Sequence, residues 1–258
     1  MKRKIICVSV ILISCIFAVG CGKKVIKNET SVAAVKEEPI TAASTEELSK
    51  TMSVFTEAPN KNSSIKIEYP SFTGDHSKEL NTLVLDKVKS FAEIDTSVFS
   101  ADTALTVDYQ SAVTLLNSKM VSIIFWGSSY TEGSAYPVSN LFTLNVDLQT
   151  MKEITLKDLY KTDADFEKVF FEKAFFPTDP ITSYDEASFP DMLKLQSPEY
   201  QTVDPFSIAD NIIVFLKPDG VVFSVPAIHA TGSDHLEAQL KYSDIQKFYL
   251  LQQNYWED

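Results

Sequence analysis

The tightest constraint on the fold is the alternation from Phe142 to Leu148. Phe142, Leu144, Val146 and Leu148 are apolar, while Thr143, Asn145 and Asp147 between them are polar. A period of two puts the apolar set on one face of a half-buried strand. Gly133 and Pro137 mark a loop before it, and a tight turn through Gln149 to Lys152 leads into Ile154-Thr155-Leu156. Thr155 and Asp158, three apart, have the spacing of a capping box for a short helix ending near Tyr160. Strand, turn and capped helix therefore predict a sheet element with a helix folded back onto it.

The same reading extends along the chain. Ile65 to Tyr69 alternates as a first strand, with Pro70 expected to end it. Leu80, Leu83, Val84, Val88 and Phe91 fall at helical spacing, so Ser77 to Phe91 is predicted as an amphipathic helix capped by Asp75 or Ser77. Thr103–Leu116 and Lys119–Trp126 read as antiparallel strands joined through Asn117-Ser118, with Phe142–Leu148 as the next strand of a meander. Asp163 to Phe175 is predicted helical, with Thr162 and Asp165 as its capping pair and Pro177 and Pro180 as its stop. A short helix around Asp191–Leu195 is expected in the less regular stretch 176–204. Asn211–Leu216 and Val221–Val225 flank Lys217-Pro218-Asp219-Gly220, a hairpin signal. Leu236, Ala238, Leu240 and Tyr242 alternate with Glu237, Gln239 and Lys241 as a last strand, and Ser243 with Gln246 fits the box of a terminal helix. The pattern is α+β: antiparallel sheets with helices packed on one face. It forms one compact region, residues 61–253, with room for two sub-lobes.

The N-terminus reads as an address. Lys2, Arg3 and Lys4 precede an uncharged apolar run from Ile5 to Val19, the layout of a secretory signal over residues 1–20. The run is shorter than the roughly 20 residues a membrane span needs. It ends Ala18-Val19-Gly20-Cys21, a lipobox-like sequence in which Cys21 becomes the lipidated mature N-terminus, with palmitate or a similar acyl chain holding the protein to the membrane. An ordinary cleaved signal with an incidental cysteine is the alternative. Cys7, Cys15 and Cys21 are the only cysteines, so the mature part has no disulfide framework. From 21 to 60, Lys, Glu, Thr, Ser and Ala dominate, and such a segment buries too little apolar surface to offset its ordering entropy. It is expected to be a disordered tether with an r.m.s. reach on the order of 35 Å. Loss of residues 1–20 moves the formal charge from −12 to −15. That acidity argues against nucleic acid and favours cationic partners.

Two blocks carry a family resemblance. Residues 130–137, Tyr-Thr-Glu-Gly-Ser-Ala-Tyr-Pro, followed by the strand and capped helix described above, form the first. Residues 221–245, with Pro226, a loop containing Gly232 and a strand ending at Lys241-Tyr242-Ser243, form the second. Together they resemble the RsiV-like domain, found outside the membrane in lysozyme-sensing anti-sigma factors, beside bacterial polysaccharide deacetylases and in small lipoproteins. The likeness follows element order over about residues 62–250. Tyr136 stands where the family pattern has His, Ser134 where it has a second Gly, and Met151 at the turn Gly, so recognition that depends on that His is not carried over. The resemblance implies an α+β fold and an envelope setting, with a lysozyme-like partner in one branch. That branch also has a transmembrane helix and a sigma-binding segment, which are not found here, so an anti-sigma mechanism is not expected.

Candidate chemistry is sparse. His76 beside Asp75 reads as a solvated helix start. His229, Asp234 and His235 in one loop are the only candidate metal-ligand set, and their spacing matches no zinc signature. The other reading is a polar turn in which Gly232 takes a positive φ. No Gly-x-Ser-x-Gly elbow or phosphate-cradling glycine loop occurs, and Asp185-Glu186 is an acidic pair in an acidic chain. No cofactor is expected. Exposed aromatics suit sugar faces and protein hot spots. Tyr130 and Tyr136 with Gly133 and Pro137, joined by Pro226, His229, Gly232, Asp234 and His235, are the expected ligand-binding edge. Trp126, Tyr184 and Tyr200 are further aromatics, with core packing the alternative for Trp126. The expectation is a non-catalytic binding module of the bacterial envelope, engaging peptidoglycan or a cationic protein such as lysozyme. A metal-dependent cell-wall hydrolase or deacetylase-like enzyme is one alternative, and a scaffold for an envelope complex is another.

Overall fold

The alternation at 142–148 folds as a strand, and the sheet around it organises the molecule. The computed structural model describes residues 47–93, 99–175, 212–226, 234–251 and 254–257. The predicted helix at 191–195, the expected signal sequence, the lipobox-like stretch and Cys21 lie outside them. The first sheet comprises β1 (Ser49–Glu57), β2 (Ser64–Thr73), β3 (Leu105–Leu116), β4 (Met120–Thr131), β5 (Val138–Asp147) and β6 (Lys152–Glu153), hydrogen-bonded in that order. A second, three-stranded sheet contains β7 (Ile213–Lys217), β8 (Gly220–Pro226) and β9 (His235–Lys241), also in chain order. The helices are α1 (Ser77–Ser90), α2 (Leu156–Leu159), α3 (Ala164–Lys173) and α4 (Tyr242–Ile245). The α+β class expected from sequence is the fold observed.

Several boundaries differ from expectation. β1 lies inside the stretch assigned to the tether, and it pairs with β2 over its whole length, from Ser49 opposite Thr73 to Glu57 opposite Ile65. Pro70 does not end β2: it sits opposite Met52, in register, and the strand runs on to Thr73. The meander is broken once, because β2 and β3 pair in parallel. A parallel pair requires a crossover, and α1 supplies it. Its N-cap is His76, in the left-handed region at φ 61° with no side-chain cap, rather than Asp75 or Ser77. The α3 cap is Asp163, whose carboxylate accepts the Phe166 N–H at 3.1 Å, not the Thr162–Asp165 pair. The Thr155–Asp158 capping box of α2 is present as read. Instead of a terminal helix boxed by Ser243 and Gln246, α4 is one turn starting after Lys241, continued by a 3₁₀ turn at Gln246–Phe248.

Three clusters of buried residues hold these elements together. On one face of the first sheet, Val121, Ile123, Phe125, Leu144 and Val146 pack with Leu80, Val84 and Val88 of α1. Its opposite face presents Ser122, Ile124 and Trp126 beside Asn145, Thr143 and Leu141. Against that face lies β7, the edge strand of the second sheet, close to β3, β4 and β5 alike. On one side of β7, Phe215 and Val222 meet Leu141, with Ile124 and Trp126 packed against them. On the other, Val214, Leu216 and Phe223 share a core with Met120 and with Phe166 and Phe170 of α3.

An edge strand pressed against another sheet's face would leave backbone groups without partners, at about 1–3 kcal/mol each. Two polar side chains inside the first sheet meet that need. The Ser122 hydroxyl accepts the Leu216 N–H at 3.0 Å, and the Asn145 amide donates to the Val214 carbonyl at 2.8 Å. Ser122 also donates to the Asn145 side-chain oxygen at 2.7 Å, which fixes both rotamers. The polar members of the founding alternation thus face a second layer, not water.

The C-terminal residues close the structure beyond the expected boundary at 253. The Asn117 amide donates to the Tyr255 carbonyl at 2.6 Å, and the Lys119 ammonium to the Asn254 carbonyl at 3.3 Å. The Trp256 indole stacks on Tyr242, with centroids 4.0 Å apart and planes 11° from parallel.

Candidate functional site

The tip formed by the end of β4 and the start of β5 displays the predicted aromatic edge. Tyr130 is 37% exposed, Tyr136 47% and Val138 38%. Tyr130 is the penultimate residue of β4, opposite Thr106, and the chain then turns through Gly133 at φ 95°. The turn is held on both flanks. Glu132 N–H donates to the Ala104 carbonyl at 2.9 Å, and its carboxylate accepts the Ala104 N–H at 3.3 Å. Ser134 N–H returns to the Thr131 carbonyl at 3.0 Å. Nothing occupies the space a Cβ on Gly133 would enter, so its role is conformational. Pro137 is exposed beside Tyr136.

Below the tip, Asn140 ties three elements together. Its amide donates to the Tyr109 hydroxyl at 2.9 Å and to the Ser129 hydroxyl at 2.8 Å. Burial pushes the Tyr109 phenol pKa up, despite its hydrogen bonds to Ser129 and Asn140. The aromatic side chains at this end therefore stand on a braced support.

Asp234 joins this edge directly. Its carboxylate accepts the Ser139 N–H at 2.6 Å, so the chain entering β9 meets the first residues of β5. Pro226, at the other end of the same connection, lies opposite His235 in the β8–β9 register. His229 and Gly232 fall outside the described residues, as do Tyr184, Tyr200 and Asp185-Glu186.

His235 takes a different place from the one expected. It is 6% exposed, and its Nδ1 lies 2.6 Å from the carboxylate of Glu237, itself 5% exposed. The Ser224 hydroxyl donates to the same carboxylate oxygen at 2.8 Å. Glu237 and Gln239, read as the outward face of the last strand, are buried along with Leu236 and Ala238, so β9 is covered on both sides. Asp234 and His235 thus carry separate partners, and among the described residues no three metal-ligating side chains converge. The Glu237 carboxylate thus bonds both Ser224 and His235. Trp126 takes the alternative reading, half-buried against the second sheet.

Two features escaped sequence reading. A cleft of about 700 Å³ opens where the end of β1 meets the end of α1, lined by Phe55, Glu57, Pro59, Lys89, Ala92 and Glu93. Lys89 and Glu93 read only as the solvated end of a helix, and Phe55 lay in the presumed tether, so no local pattern joined them. The second is Asp147, whose carboxylate accepts the Tyr255 hydroxyl and the N–H groups of Gln149 and Thr150, the last two at 2.8 and 2.9 Å. Burial acts to raise its pKa, but the hydrogen bonds outweigh it and hold the carboxyl below the ordinary range.

The solved structures to which the chain is similar include two from the DUF3298 family. One is a member of the DUF3298 family from Bacteroides fragilis, 14% identical, with a TM-score of 0.42 and a match covering 80% of this chain and 94% of that one. The other is a DUF3298 family protein from Pseudomonas aeruginosa, 12% identical, with a TM-score of 0.43 and the same two coverages. No protein-family model matches the sequence, and no curated protein matches it.

Proposed function

We propose that the chain is a lipid-anchored, extracytoplasmic binding module that presents the β4–β5 tip to cell-wall glycan. The observation that carries this reading is the pair of exposed tyrosines, Tyr130 and Tyr136, on a turn fixed to Ala104 on one flank and, through Ser139, to Asp234 on the other. Rigid aromatic faces lose little entropy on contact and offer both an apolar ring and a hydroxyl to a sugar. The RsiV-like resemblance of the two blocks and the lipobox-like Ala18-Val19-Gly20-Cys21 support the envelope setting, and the basic N-terminus followed by a short apolar run supports export. No helix among the described residues is long and apolar enough to cross a membrane, and the anchor is assigned to acylated Cys21.

The test is co-sedimentation of the chain lacking residues 1–20 with insoluble peptidoglycan at physiological salt. Retention is expected, and Tyr130→Ala or Tyr136→Ala should each weaken it about tenfold, the size of a modest aromatic hot spot. No retention of the unsubstituted chain would overturn the reading. A second reading, a cationic protein such as lysozyme, is favoured by the net charge of −12. Binding of that kind should fade as added salt screens it. In the metal-hydrolase alternative His235 would ligate through Nε2, with the Glu237 carboxylate holding Nδ1.

A further inference from the structure

We infer that the outer edge of β1 is a self-association surface, through which a second copy of this chain pairs antiparallel to extend the first sheet across a twofold axis. β1 is the terminal strand of the six-stranded sheet, and no described strand lies on its far side. An open edge is a template for another strand unless it is short, bulged, interrupted by proline or covered. Among the described residues β1 has none of these protections: it is nine residues long, pairs with β2 without a register shift, contains no proline and has no strand on its outer edge. Its one lysine, Lys50, stands near one end. Met52 and Val54, two residues apart on one face, are 54% and 55% exposed, the most exposed of the large apolar side chains described.

The strand is self-complementary in one register. A twofold axis through Ser53 sets Met52 of each copy opposite Val54 of the other, so both exposed apolar residues are covered twice over. The same register sets Thr51 opposite Phe55, Lys50 opposite Thr56 and Ser49 opposite Glu57, so no like charges face each other. Cross-strand pairs of this kind are the unit of sheet stabilisation. Shifting the axis to Met52 puts Val54 opposite Lys50 and Glu57 opposite Glu47. Shifting it to Val54 puts Met52 opposite Thr56. The Ser53 register alone matches apolar to apolar at both positions. An unrelated extended peptide would need no symmetry, whereas this edge is matched to itself.

The symmetry makes the test specific. In the Ser53 register the two Ser53 Cα atoms lie about 4.5–5.5 Å apart, within disulfide reach. The two Lys50 residues lie six positions from alignment, roughly 20 Å apart. Full-length Ser53→Cys and Lys50→Cys chains in detergent are exposed to mild oxidant beside the unsubstituted chain, whose own cysteines at 7, 15 and 21 set the background. A covalent dimer severalfold above background for Ser53→Cys, with Lys50→Cys at background, is expected. Equal yields from the two variants would overturn the inference. Sedimentation equilibrium of the full chain gives an independent reading. Val54→Lys, on an exposed position, should halve the average mass at a concentration where the parent is dimeric, with an unchanged circular dichroism spectrum. Equal masses for the parent and Val54→Lys would also overturn it, including the case in which the edge takes only a foreign peptide.

Discussion

At the residue scale, backbone geometry and single carboxylates set the sharpest tests. Gly127 lies in β4 at φ 151°, and a Cβ there would fall onto the Asp108 carbonyl of the neighbouring strand and against the Tyr109 ring. Gly127→Ala should therefore cost roughly 3 kcal/mol, from overpacking against rigid backbone, measured by urea unfolding. Asp147 sets a pH dependence. Its folded pKa is depressed, so the stability it contributes is complete above its unfolded value near 4 and is lost as pH falls through the folded value. Unfolding midpoints at pH 6 and pH 3 should differ, and Asp147→Asn should shrink the difference. Some of this was visible beforehand. Met151 stands at the turn where the resembled pattern has Gly, and it adopts a positive φ of 53°. The Thr155–Asp158 box was legible because its partners are three residues apart. The Asp147–Tyr255 contact spans 108 residues, so no local pattern announces it.

At the element scale, the founding alternation named the strand correctly but misread one of its faces. Thr143, Asn145 and Asp147 were expected on the solvated side, yet all three are buried: the second sheet bonds Asn145 through Val214, and Tyr255 and the following turn bond Asp147. Periodicity reports that two faces differ, not what each face meets. β9 failed in the same way, with Glu237 and Gln239 buried although they alternate with Leu236, Ala238 and Leu240. β1 was missed for the complementary reason. Its Ser-Lys-Thr-Met-Ser-Val-Phe-Thr-Glu sequence buries little, and its place in the sheet depends on backbone pairing with β2. Asn145 gives the element-scale prediction. Asn145→Ala leaves the Val214 carbonyl without its side-chain donor and removes the acceptor for Ser122, and should cost about 2–3 kcal/mol. Amide exchange at Leu216, whose partner Ser122 loses its orientation, should accelerate more than at Phe223 in the centre of the same sheet.

At the scale of the whole molecule, the last residues act as a clasp over the β3–β4 turn. Deleting residues 254–258 removes the Trp256–Tyr242 stack and the Asn117–Tyr255 bond. It should lower stability by about 3–5 kcal/mol, in line with loss of a large buried aromatic, seen as a drop in Tm. Class and the order of the main elements after β1 were readable from sequence, because each rests on patterns a few residues long. The candidate tip was readable in part: Tyr130, Gly133 and Tyr136 were named from local cues, whereas the Asp234–Ser139 bond that braces them spans 95 residues. The docking of β7 against the first sheet carries a temporal consequence. The first sheet ends at Glu153, but the strands that cover its Ile124, Trp126 and Leu141 face, β7 and β8, end only at Pro226. At translation rates of about 5–20 residues per second, that apolar face waits several seconds for its cover. A nascent chain emerging in order is thus sticky at mid-synthesis, and a holding chaperone would guard it until the later strands arrive.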